Sequence, residues 1–287
     1  MNKSLFFILL LTCKAFTQTA IIKGKTVDAK TGEYVSFTNI GIQNESIGTV
    51  SNENGDFILK IYSNIDVNKE VIFSHLGYAD RIITLKALLE KKEETIKLES
   101  IVNQLAEVKV SLKKPKPKKI GRTAKGLGMM HRNYYSVTEK EIDDRLSKEI
   151  GMKLSIKKDC SIEDLNFNIS TNDFKDLKFR VNFYSIKNNL PDTLLVQKEI
   201  ILEIKDGYLG WFKFDLKQFD ISIDKENENI AVTLQWIHSQ KMDNKKGLFS
   251  ISAGVSPLST SFYRSKVLDV WKKDDTNLSL YLNAMCN

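Results

Sequence analysis

The sequence has few of the side chains that metal enzymes use. Its 287 residues include only three histidines, His75, His131 and His238, which are followed by L-G-Y, R-N-Y and S-Q-K. None therefore begins a His-x-x-Glu or His-Glu-x-x-His motif, which would place imidazole and carboxylate ligands around a catalytic zinc ion. We predict from this absence that the chain has no metal site and no cofactor.

Other catalytic motifs are incomplete. The stretch Gly254–Leu258 (G-V-S-P-L) lacks the second glycine of a serine nucleophile elbow and has proline where the following helix would begin. Gly126–Gly128 lacks the third glycine of a dinucleotide-binding fingerprint. Because these motifs supply no set of nucleophile, base and orienting group, we predict that the chain is not an enzyme.

Long apolar runs are also scarce, and the one near the start is too short to span a bilayer. Lys3 precedes seven apolar residues, Leu5–Leu11, and small and polar residues follow. This order is typical of a secretory signal peptide. We expect residues 1–17 to be a cleaved signal and the mature protein to be periplasmic or associated with the outer membrane. Attachment as a lipoprotein through Cys13 is the alternative.

Cysteine is rare, and only Cys160 and Cys286 remain once the signal is removed. In an oxidising compartment these two residues form either a disulfide or two separate buried thiols. A bridge would close a loop of roughly a hundred residues or more, for which the chain-entropy model gives about 4 to 5 kcal/mol. The sequence leaves both alternatives open because it does not give the distance between the two Cα atoms.

Negative charge is missing from one segment. Lys109–Lys125 contains eight basic residues and no acidic one, so removing its charges from the net +7 leaves −1 for the rest of the chain. Aromatic residues do not alternate with these charges, so we predict no nucleic-acid partner. Pro115 and Pro117 favour extended polyproline geometry, and we predict a basic linker at residues 111–128. It is a solvated spacer or, alternatively, an arm for peripheral contact with membrane headgroups or an acidic partner.

Turn residues and short β-prone runs are what residues 18–110 do contain. In Ile47–Tyr78, Gly48 and Asn54-Gly55 separate such runs, and Asn-Gly favours a hairpin because both residues accept a positive φ. Runs repeated about every ten residues predict a β-sandwich. A surface helix is predicted at Lys86–Glu94. The predicted strands are Ile21–Val27, Phe37–Ile42, Gly48–Ser51, Phe57–Ile61, Val71–Leu76, Arg81–Leu85, Thr95–Leu98 and Val108–Val110.

Five motifs in this region, taken in order, resemble the carboxypeptidase regulatory-like domain. They read I-K-G-K-T-V-D-A-K-T-G-E, F-T-N-I-G-I, I-G-T-V-S-N-E-N-G-D-F, F-S-H-L-G-Y and V-N-Q-L-A-E-V-K-V. The resemblance implies a seven-stranded, transthyretin-like sandwich and a place in the cell envelope of a Bacteroidetes-type bacterium. Because that family is non-catalytic, the resemblance implies no catalytic residues.

The rest of the chain, residues 129–287, begins with a helical pattern and continues with β patterns. Thr138 and Glu141 have capping-box spacing, and apolar residues at every fourth position of Ile142–Ile150 predict a short helix that ends at Gly151. After it, apolar and polar residues alternate, as half-buried antiparallel strands do. Nine or ten such runs predict a jelly-roll-like sandwich. Three stretches, F-R-V-N-F-Y-S-I-K-N-N-L-P-D, G-W-F-K-F-D-L and V-T-L-Q-W, resemble the C-terminal sandwich that often follows a regulatory-like domain in Bacteroidetes-type envelope proteins of unassigned role.

Aromatic residues of this second sandwich are the candidates for ligand contact. Trp211 alternates with Lys213 and Asp215, so we expect it to face away from the core, whereas Trp236 shares a face with apolar residues and is predicted to be buried. An exposed aromatic strip on a sheet is suited to stacking sugar rings; the alternative is that these residues form cross-strand pairs. The candidate contacts are Tyr208, Trp211, Tyr263 and Trp271.

Together these patterns predict an exported, all-β protein made of two sandwiches. We predict a non-catalytic role as a structural or protein-interaction module, with envelope proteins as partners. Carbohydrate binding through the aromatic residues, with glycans as partners, is the alternative function.

Overall fold

The computed structural model describes residues 20–62, 65–91, 93–101, 115–125, 130–136, 139–256 and 260–287. Their fold is nearly all β, with 57% strand and 7% helix, so the predicted class is confirmed. The predicted signal peptide with Cys13, the strand at Val108–Val110 and the capping residue Thr138 lie outside the described residues.

The strands and helices of the described residues are as follows. The strands are β1 (Ala20–Asp28), β2 (Asn39–Ile42), β3 (Gly48–Val50), β4 (Asp56–Ile61), β5 (Glu70–Ser74), β6 (Arg81–Thr84), β7 (Glu93–Leu98), β8 (Lys116–Gly121), β9 (His131–Asn133), β10 (Glu149–Ser155), β11 (Cys160–Asn172), β12 (Phe174–Lys187), β13 (Leu190–Leu194), β14 (Ile201–Lys205), β15 (Gly210–Asp215), β16 (Ile221–Ile223), β17 (Asn229–Lys241), β18 (Phe249–Val255), β19 (Ser261–Arg264), β20 (Lys272–Asp274), β21 (Thr276–Leu278) and β22 (Leu280–Cys286). The α-helix is α1 (Leu85–Lys91), and single 3₁₀ turns lie at Ile142–Arg145, Lys217–Phe219 and Lys225–Asn227.

The first sandwich consists of β1 to β7. Its sheets have the strand orders β4-β1-β7 and β3-β2-β5-β6, and they enclose an apolar core that includes Phe57 and Phe73. The predicted hairpin at Asn54-Gly55 is wrong, because β3 and β4 lie in different sheets and, of the two turn residues, Gly55 alone has a positive φ, +74°. A tight turn is present in its place, in which the Asn52 side chain accepts hydrogen bonds from the N–H groups of Asn54 and Asp56, both at 2.9 Å. Local turn chemistry therefore ends β3 and begins β4, but it does not pair the two strands.

The second sandwich consists of the strands from β8 onward. One sheet has the order β13-β12-β17-β10-β19-β20, with β14 also paired to β12. The other has the order β21-β18-β11-β22-β8, with β15 and β16 paired to β11 and β9 paired to β18. Trp236, Phe167, Phe179 and Phe249 are fully buried between the two sheets, so Trp236 is a core residue as predicted.

The predicted linker at 111–128 is wrong for the residues of β8. This strand pairs antiparallel with β22 at the edge of the sheet, and Ile120 is buried in the core. The Arg122 N–H donates to the Leu280 carbonyl at 2.9 Å. Because hydrogen-bonded pairs alternate along an antiparallel ladder, the nitrogen of Pro117 points away from β22. Proline is tolerated there because no neighbouring strand needs the N–H that it lacks.

The predicted helix ending at Gly151 is also wrong. Only Ile142–Arg145 form a helical turn; Ser147 has a φ of +71°, and β10 begins at Glu149. From there the chain pairs with β17 on one side and β19 on the other. Long-range strand pairing therefore overrides a local helical pattern.

Candidate functional site

A groove with a volume of about 340 Å³ lies where the two sandwiches meet, and we call it the interdomain groove. One wall is formed by β3 and β4 of the first sandwich. The other wall is formed by the 3₁₀ turn at Ile142–Arg145 and its flanks, together with Ile237–Ser239 near the end of β17. Both sandwiches therefore contribute to the site.

The groove exists because β3 and β4 diverge after their turn. The Asn52 N–H donates to the Asp56 carbonyl at 2.8 Å, and beyond this bond the two strands enter different sheets. Each is the terminal strand of its sheet in the described residues. The outer edges of both strands consequently border the groove, and edge strands carry backbone groups without a ladder partner.

A buried arginine holds the two sandwiches together. Arg180 of β12 is 9% exposed, and its Nη2 donates to the Phe37 carbonyl at 2.7 Å while its Nη1 donates to Asn39 Oδ1 at 3.1 Å. Gln235 Nε2 donates to the same Asn39 oxygen at 2.8 Å. Phe37 has a φ of +53°, so β2 begins only at Asn39 and not at the predicted residue. The backbone around Phe37 is thus shaped to receive the guanidinium group.

Glu199 completes this polar contact. Its Oε1 accepts from Arg180 Nη2 at 2.7 Å, and its Oε2 lies 3.5 Å from His75 Nε2 of the first sandwich. Burial alone would raise the pKa of the carboxyl, but the His75 hydrogen bond and the Arg180 charge outweigh burial and lower the pKa of Glu199 to about 2. The carboxylate therefore stays ionised at neutral pH and links the two sandwiches.

A loop of the second sandwich makes the closest backbone approach. The Asn44 N–H donates to the Leu268 carbonyl at 2.9 Å, and Val267 packs against Gly41 and Gly48, which face each other in register on β2 and β3. A Cβ atom on Gly41 would lie only 2.8 Å from the Val267 carbonyl oxygen. The two glycines leave bare backbone where the loop docks.

Each lysine of the groove is held by two acceptors on its far wall. Lys60 Nζ lies 2.8 Å from a Glu141 carboxylate oxygen and 2.7 Å from one of Asp144. Burial would raise the pKa of Asp144, but the hydrogen bond from Lys60 lowers it below its usual value. Lys266 is buried, which lowers its pKa to about 8, and its Nζ donates to the carbonyls of Asp144 and Leu146 at 2.8 and 3.0 Å.

An apolar lip borders the groove on the outer face of β1 and β4. Ile58 is 49% exposed and Tyr62 is 50% exposed, and both line the groove. Ile21 is 51% exposed and lies opposite Lys60 in the ladder, diagonal to Ile58. We call Ile21, Ile58 and Tyr62 the apolar lip.

Comparison with known families identifies the first sandwich. Residues 22–110 match the family model described as CarboxypepD_reg-like domain. The match spans the first sandwich, and we call that part of the chain the CarboxypepD_reg-like domain. CarboxypepD_reg-like domains are regulatory β-sandwich modules and are not catalytic.

Comparisons of the whole chain add less. No curated protein matches it. A structure of infectious bursal disease virus Gx strain is 11% identical, covers 94% of this chain and 77% of that chain, and has a TM-score of 0.27. The major pilin subunit BcpA of Bacillus cereus is 10% identical, covers 91% of this chain and 69% of that chain, and has a TM-score of 0.18. Scores this low support no argument about fold or function.

The four predicted aromatic contacts fall into two separate pairs outside the CarboxypepD_reg-like domain. Trp211 lies edge-on to Tyr281 with ring centroids 5.3 Å apart, and the Tyr208 hydroxyl donates to the Trp211 carbonyl at 2.7 Å. Tyr263 and Trp271 lie beside the other sheet, where arginine side chains stack on them at 4.2 and 4.5 Å. The structure therefore does not assemble the four residues into one strip.

The two cysteines lie next to each other. Cys160 of β11 and Cys286 of β22 are partners in the ladder, both are buried, and a disulfide with a sulfur–sulfur distance of 2.06 Å joins them. The bond connects the beginning of the long strand β11 to the last strand of the chain.

The histidines are dispersed. His131 is exposed on β9, His75 contacts Glu199, and His238 Nε2 lies 3.6 Å from an Asp176 oxygen. Within the described ranges no group of three or more His, Cys, Asp or Glu side chains could hold a metal ion. The same residues include no helix long and apolar enough to cross a membrane.

The interdomain groove was not predicted from the sequence. One local signal points to it: in D-F-I-L-K-I of β4, Ile58 is apolar at a position where alternation calls for a polar residue. The opposite wall carries no such signal, because the pattern around its acidic residues predicts a helix. Its position depends on packing between residues far apart in the chain.

Proposed function

We propose that this is an exported, non-catalytic cell-envelope protein whose two sandwiches act as one binding unit for other envelope proteins. The observation that carries the proposal is the interdomain groove, which is walled by both sandwiches and bordered by the apolar lip. Exposed apolar side chains beside a concave, partly charged surface are typical of protein-interaction sites.

Two features support export. Disulfides persist in oxidising compartments and are rare in the cytosol, and Cys160 and Cys286 are disulfide-bonded. The order of charged and apolar residues in 1–17 matches a secretory signal. Both agree with a mature protein that folds outside the cytoplasm.

The groove chemistry supports binding over catalysis. Lys60 is engaged by two carboxylates, and the ammonium group of Lys266 is engaged by two backbone carbonyls. A general base or nucleophile needs an available proton acceptor beside a group that orients it. These lysines instead hold the far wall of the groove in place.

Site-specific cross-linking tests the proposal. A photoreactive benzoylphenylalanine replaces Ile58 at the groove or, as the control, Asp192, which is exposed on β13 of the second sandwich. We expect irradiation of intact cells to give discrete protein adducts from position 58 and none from position 192. Equal adducts at both positions, or none at position 58, would contradict a binding role for the groove.

Carbohydrate binding is a second candidate, favoured by the cluster around Trp211. Tyr208 is 43% exposed, and Trp211 and Tyr281 are half-buried on the same side of the sheet. A glycan array on the purified protein tests it. Binding that is lost in Trp211→Ala and kept in Trp271→Ala supports this function, because Trp271 lies on the other sheet; an array without signal removes it.

A further inference from the structure

We propose that the free edge of β4 accepts an extended segment of a partner protein as an added strand, with alternating apolar side chains and at least one basic residue. This inference rests on the proposed protein-binding role and specifies its site and its partner chemistry. Strand addition is a recurrent mode of peptide recognition in which backbone hydrogen bonds supply affinity and alternate side chains supply specificity.

The register of β1 with β4 shows which backbone groups are free. The Thr26 N–H donates to the Gly55 carbonyl at 2.9 Å. Because hydrogen-bonded pairs alternate along an antiparallel ladder, Gly24 with Phe57 and Ile22 with Leu59 are the next hydrogen-bonded pairs. Ile58 and Lys60, which lie between them, therefore direct their N–H and C=O groups away from β1.

No strand of the described chain occupies that side of β4. The sheet order begins with β4, and among the described residues no backbone hydrogen bond outside the ladders involves Ile58 or Lys60. Two N–H and two C=O groups consequently face the groove, at the spacing that a new strand needs.

The side chains near this edge protect it only in part. Natural edges are commonly guarded by outward charges, and β4 has Asp56 and Lys60 at outward positions, just as β7 at the opposite edge of the same sheet has Glu93 and Lys97. At β4 the exposed residues include Ile58, with Tyr62 just beyond the strand and Ile21 beside it. An added strand would cover this apolar lip with its own alternate side chains.

Charge on the far wall selects the partner. Asp56, Glu141, Asp143 and Asp144 line the groove, while Lys60 and Lys266 supply only two positive charges and Asp56 pairs with Lys25. The Glu141 side chain is 67% exposed and Asp143 is an exposed residue. One acidic charge is therefore in excess at an open position, where a lysine or arginine of the partner gains a favourable interaction.

Peptide selection tests the inference directly. The protein from residue 18 to residue 287 is used to select binders from a phage library of random twelve-residue peptides, and the most enriched peptide is synthesised. We expect enriched sequences to alternate apolar residues and to carry Lys or Arg. We also expect binding to slow amide hydrogen exchange at Ile58 and Lys60 by at least about tenfold, measured by NMR, with Phe57 and Leu59 unchanged because they are already in the ladder.

A matched pair of proline variants separates the edge from general stability. Ile58→Pro removes an N–H that points away from β1, so the native ladder remains and peptide affinity should fall at least about tenfold. Ile82→Pro is the control, because Ile82 is equally exposed at 49% and also lies at a sheet edge, in β6. The Leu85 N–H donates to the Lys69 carbonyl, and alternation turns the Ile82 N–H away from β5 as well.

Modified peptides and charge variants add two independent measurements. N-methylation of every second peptide residue should abolish binding when it falls on the residues whose N–H groups face β4. It should leave binding unchanged when it falls on the residues between them. This arm needs no change to the protein and remains decisive if a proline variant does not fold. Asp143→Asn should weaken the basic peptide about threefold and reduce the salt dependence of its binding, as expected for an exposed ion pair.

The outcomes distinguish this inference from the proposed function. Peptides that bind without slowing exchange at Ile58 and Lys60, or that bind Ile58→Pro as tightly as the unmodified protein, would overturn strand addition. A library with no enriched sequence would overturn it too. In each case the protein-binding role is judged separately by the cross-linking from position 58, which does not depend on how the partner docks.

Discussion

The CarboxypepD_reg-like domain and the C-terminal sandwich share an architecture but bury different kinds of residues. The first domain has strands of three to nine residues around an apolar core, and the outer face of its β1–β4 pair is largely open to solvent. The second has strands of up to 14 residues, and one of its sheets is buried on both faces. The difference shows that the second sandwich depends on contacts with the rest of the chain to cover the outer face of that sheet.

The outer face of that sheet consists of buried polar groups. Glu149 is 0% exposed; its Oε1 accepts from Asn182 Nδ2 at 2.8 Å, and its Oε2 accepts from Arg264 Nε at 2.9 Å. Arg180 and Gln235 continue this face and bond to the first domain. Buried charges destabilise a fold unless each is paired and hydrogen-bonded. The first domain supplies part of that pairing.

The largest expected effect comes from weakening only the second sandwich. Replacing Cys160 and Cys286 by serine removes a cross-link between residues 126 positions apart, and the chain-entropy model predicts a loss of about 4 to 5 kcal/mol in its free energy of unfolding. All three tryptophans, Trp211, Trp236 and Trp271, lie in this sandwich, so urea unfolding followed by tryptophan fluorescence reports it selectively. Dithiothreitol should destabilise the unmodified protein similarly and leave the double variant unchanged. Equal stability of both proteins would show that the bond contributes nothing.

Next in size is the loss of the arginine that joins the domains. Arg180→Met removes the bonds to Phe37 and Asn39 and leaves Glu199 partly buried without its guanidinium partner. We expect a loss of about 2 to 4 kcal/mol, since removing one member of a buried ion pair is strongly destabilising. Differential scanning calorimetry should show one transition in the unmodified protein and two in the variant.

Lys178→Met provides the matched control for Arg180. Lys178 pairs with Glu53 across the same interface, but the Glu53 side chain is 55% exposed. The expected loss is under about 1 kcal/mol, as for exposed ion pairs. Equal losses in the two variants would contradict a special role for Arg180.

Acid should weaken the same contact by a smaller amount. The folded-state pKa of Glu199, about 2, lies below its ordinary value of 4.5, so its contribution is fully present above about pH 4.5 and is lost as the pH falls towards 2. Because the carboxylate is 31% exposed, we expect a loss of about 1 to 3 kcal/mol. Urea unfolding at pH 6 and pH 3 measures it, and the difference between the two pH values should shrink by that amount in Glu199→Gln.

The smallest predicted effect tests the glycine contact between the domains. A Cβ on Gly48 would lie 3.3 Å from Val267 Cγ1, so Gly48→Ala should destabilise the protein and Val267→Ala should relieve part of that loss. A double-mutant cycle should give a coupling of about 0.5 to 1 kcal/mol. Val255→Ala, at a distant position that is 66% exposed, should be additive with Gly48→Ala. An additive Gly48–Val267 pair would mean that the loop adjusts freely.

Some of this fold could be predicted from local chemistry. A turn forms at Asn54-Gly55 because Gly55 accepts a positive φ without any distant partner, although the strands on either side do not pair as a hairpin. Trp236 is buried because alternation places it on the same face as Leu234. The linker predicted at the basic segment is wrong for a reason that lies outside the segment. Whether Pro117 interrupts a strand depends on the side to which its backbone nitrogen points, and pairing with β22 sets that side.

The site could be predicted less well than the fold. Alternation places Trp211 on the outward face of β15, but its contact with Tyr281 joins residues about 70 positions apart, and Trp271 lies beside the other sheet. The groove pairs Lys60 with Glu141 and Asp144 across two domains. No spacing rule connects such residues, because their separation in the chain carries no periodic signal.

Turn chemistry and side-chain alternation in the sequence alone determined the all-β class and the strands of the first domain, because both act over a few neighbouring residues. The tertiary structure decided that a proline-containing basic stretch becomes an edge strand, that Arg180 and Glu199 join the domains, and that the edge of β4 faces a groove. These outcomes depend on which strands meet across long stretches of chain, and that is settled by the balance of burial and hydrogen bonding over the whole fold.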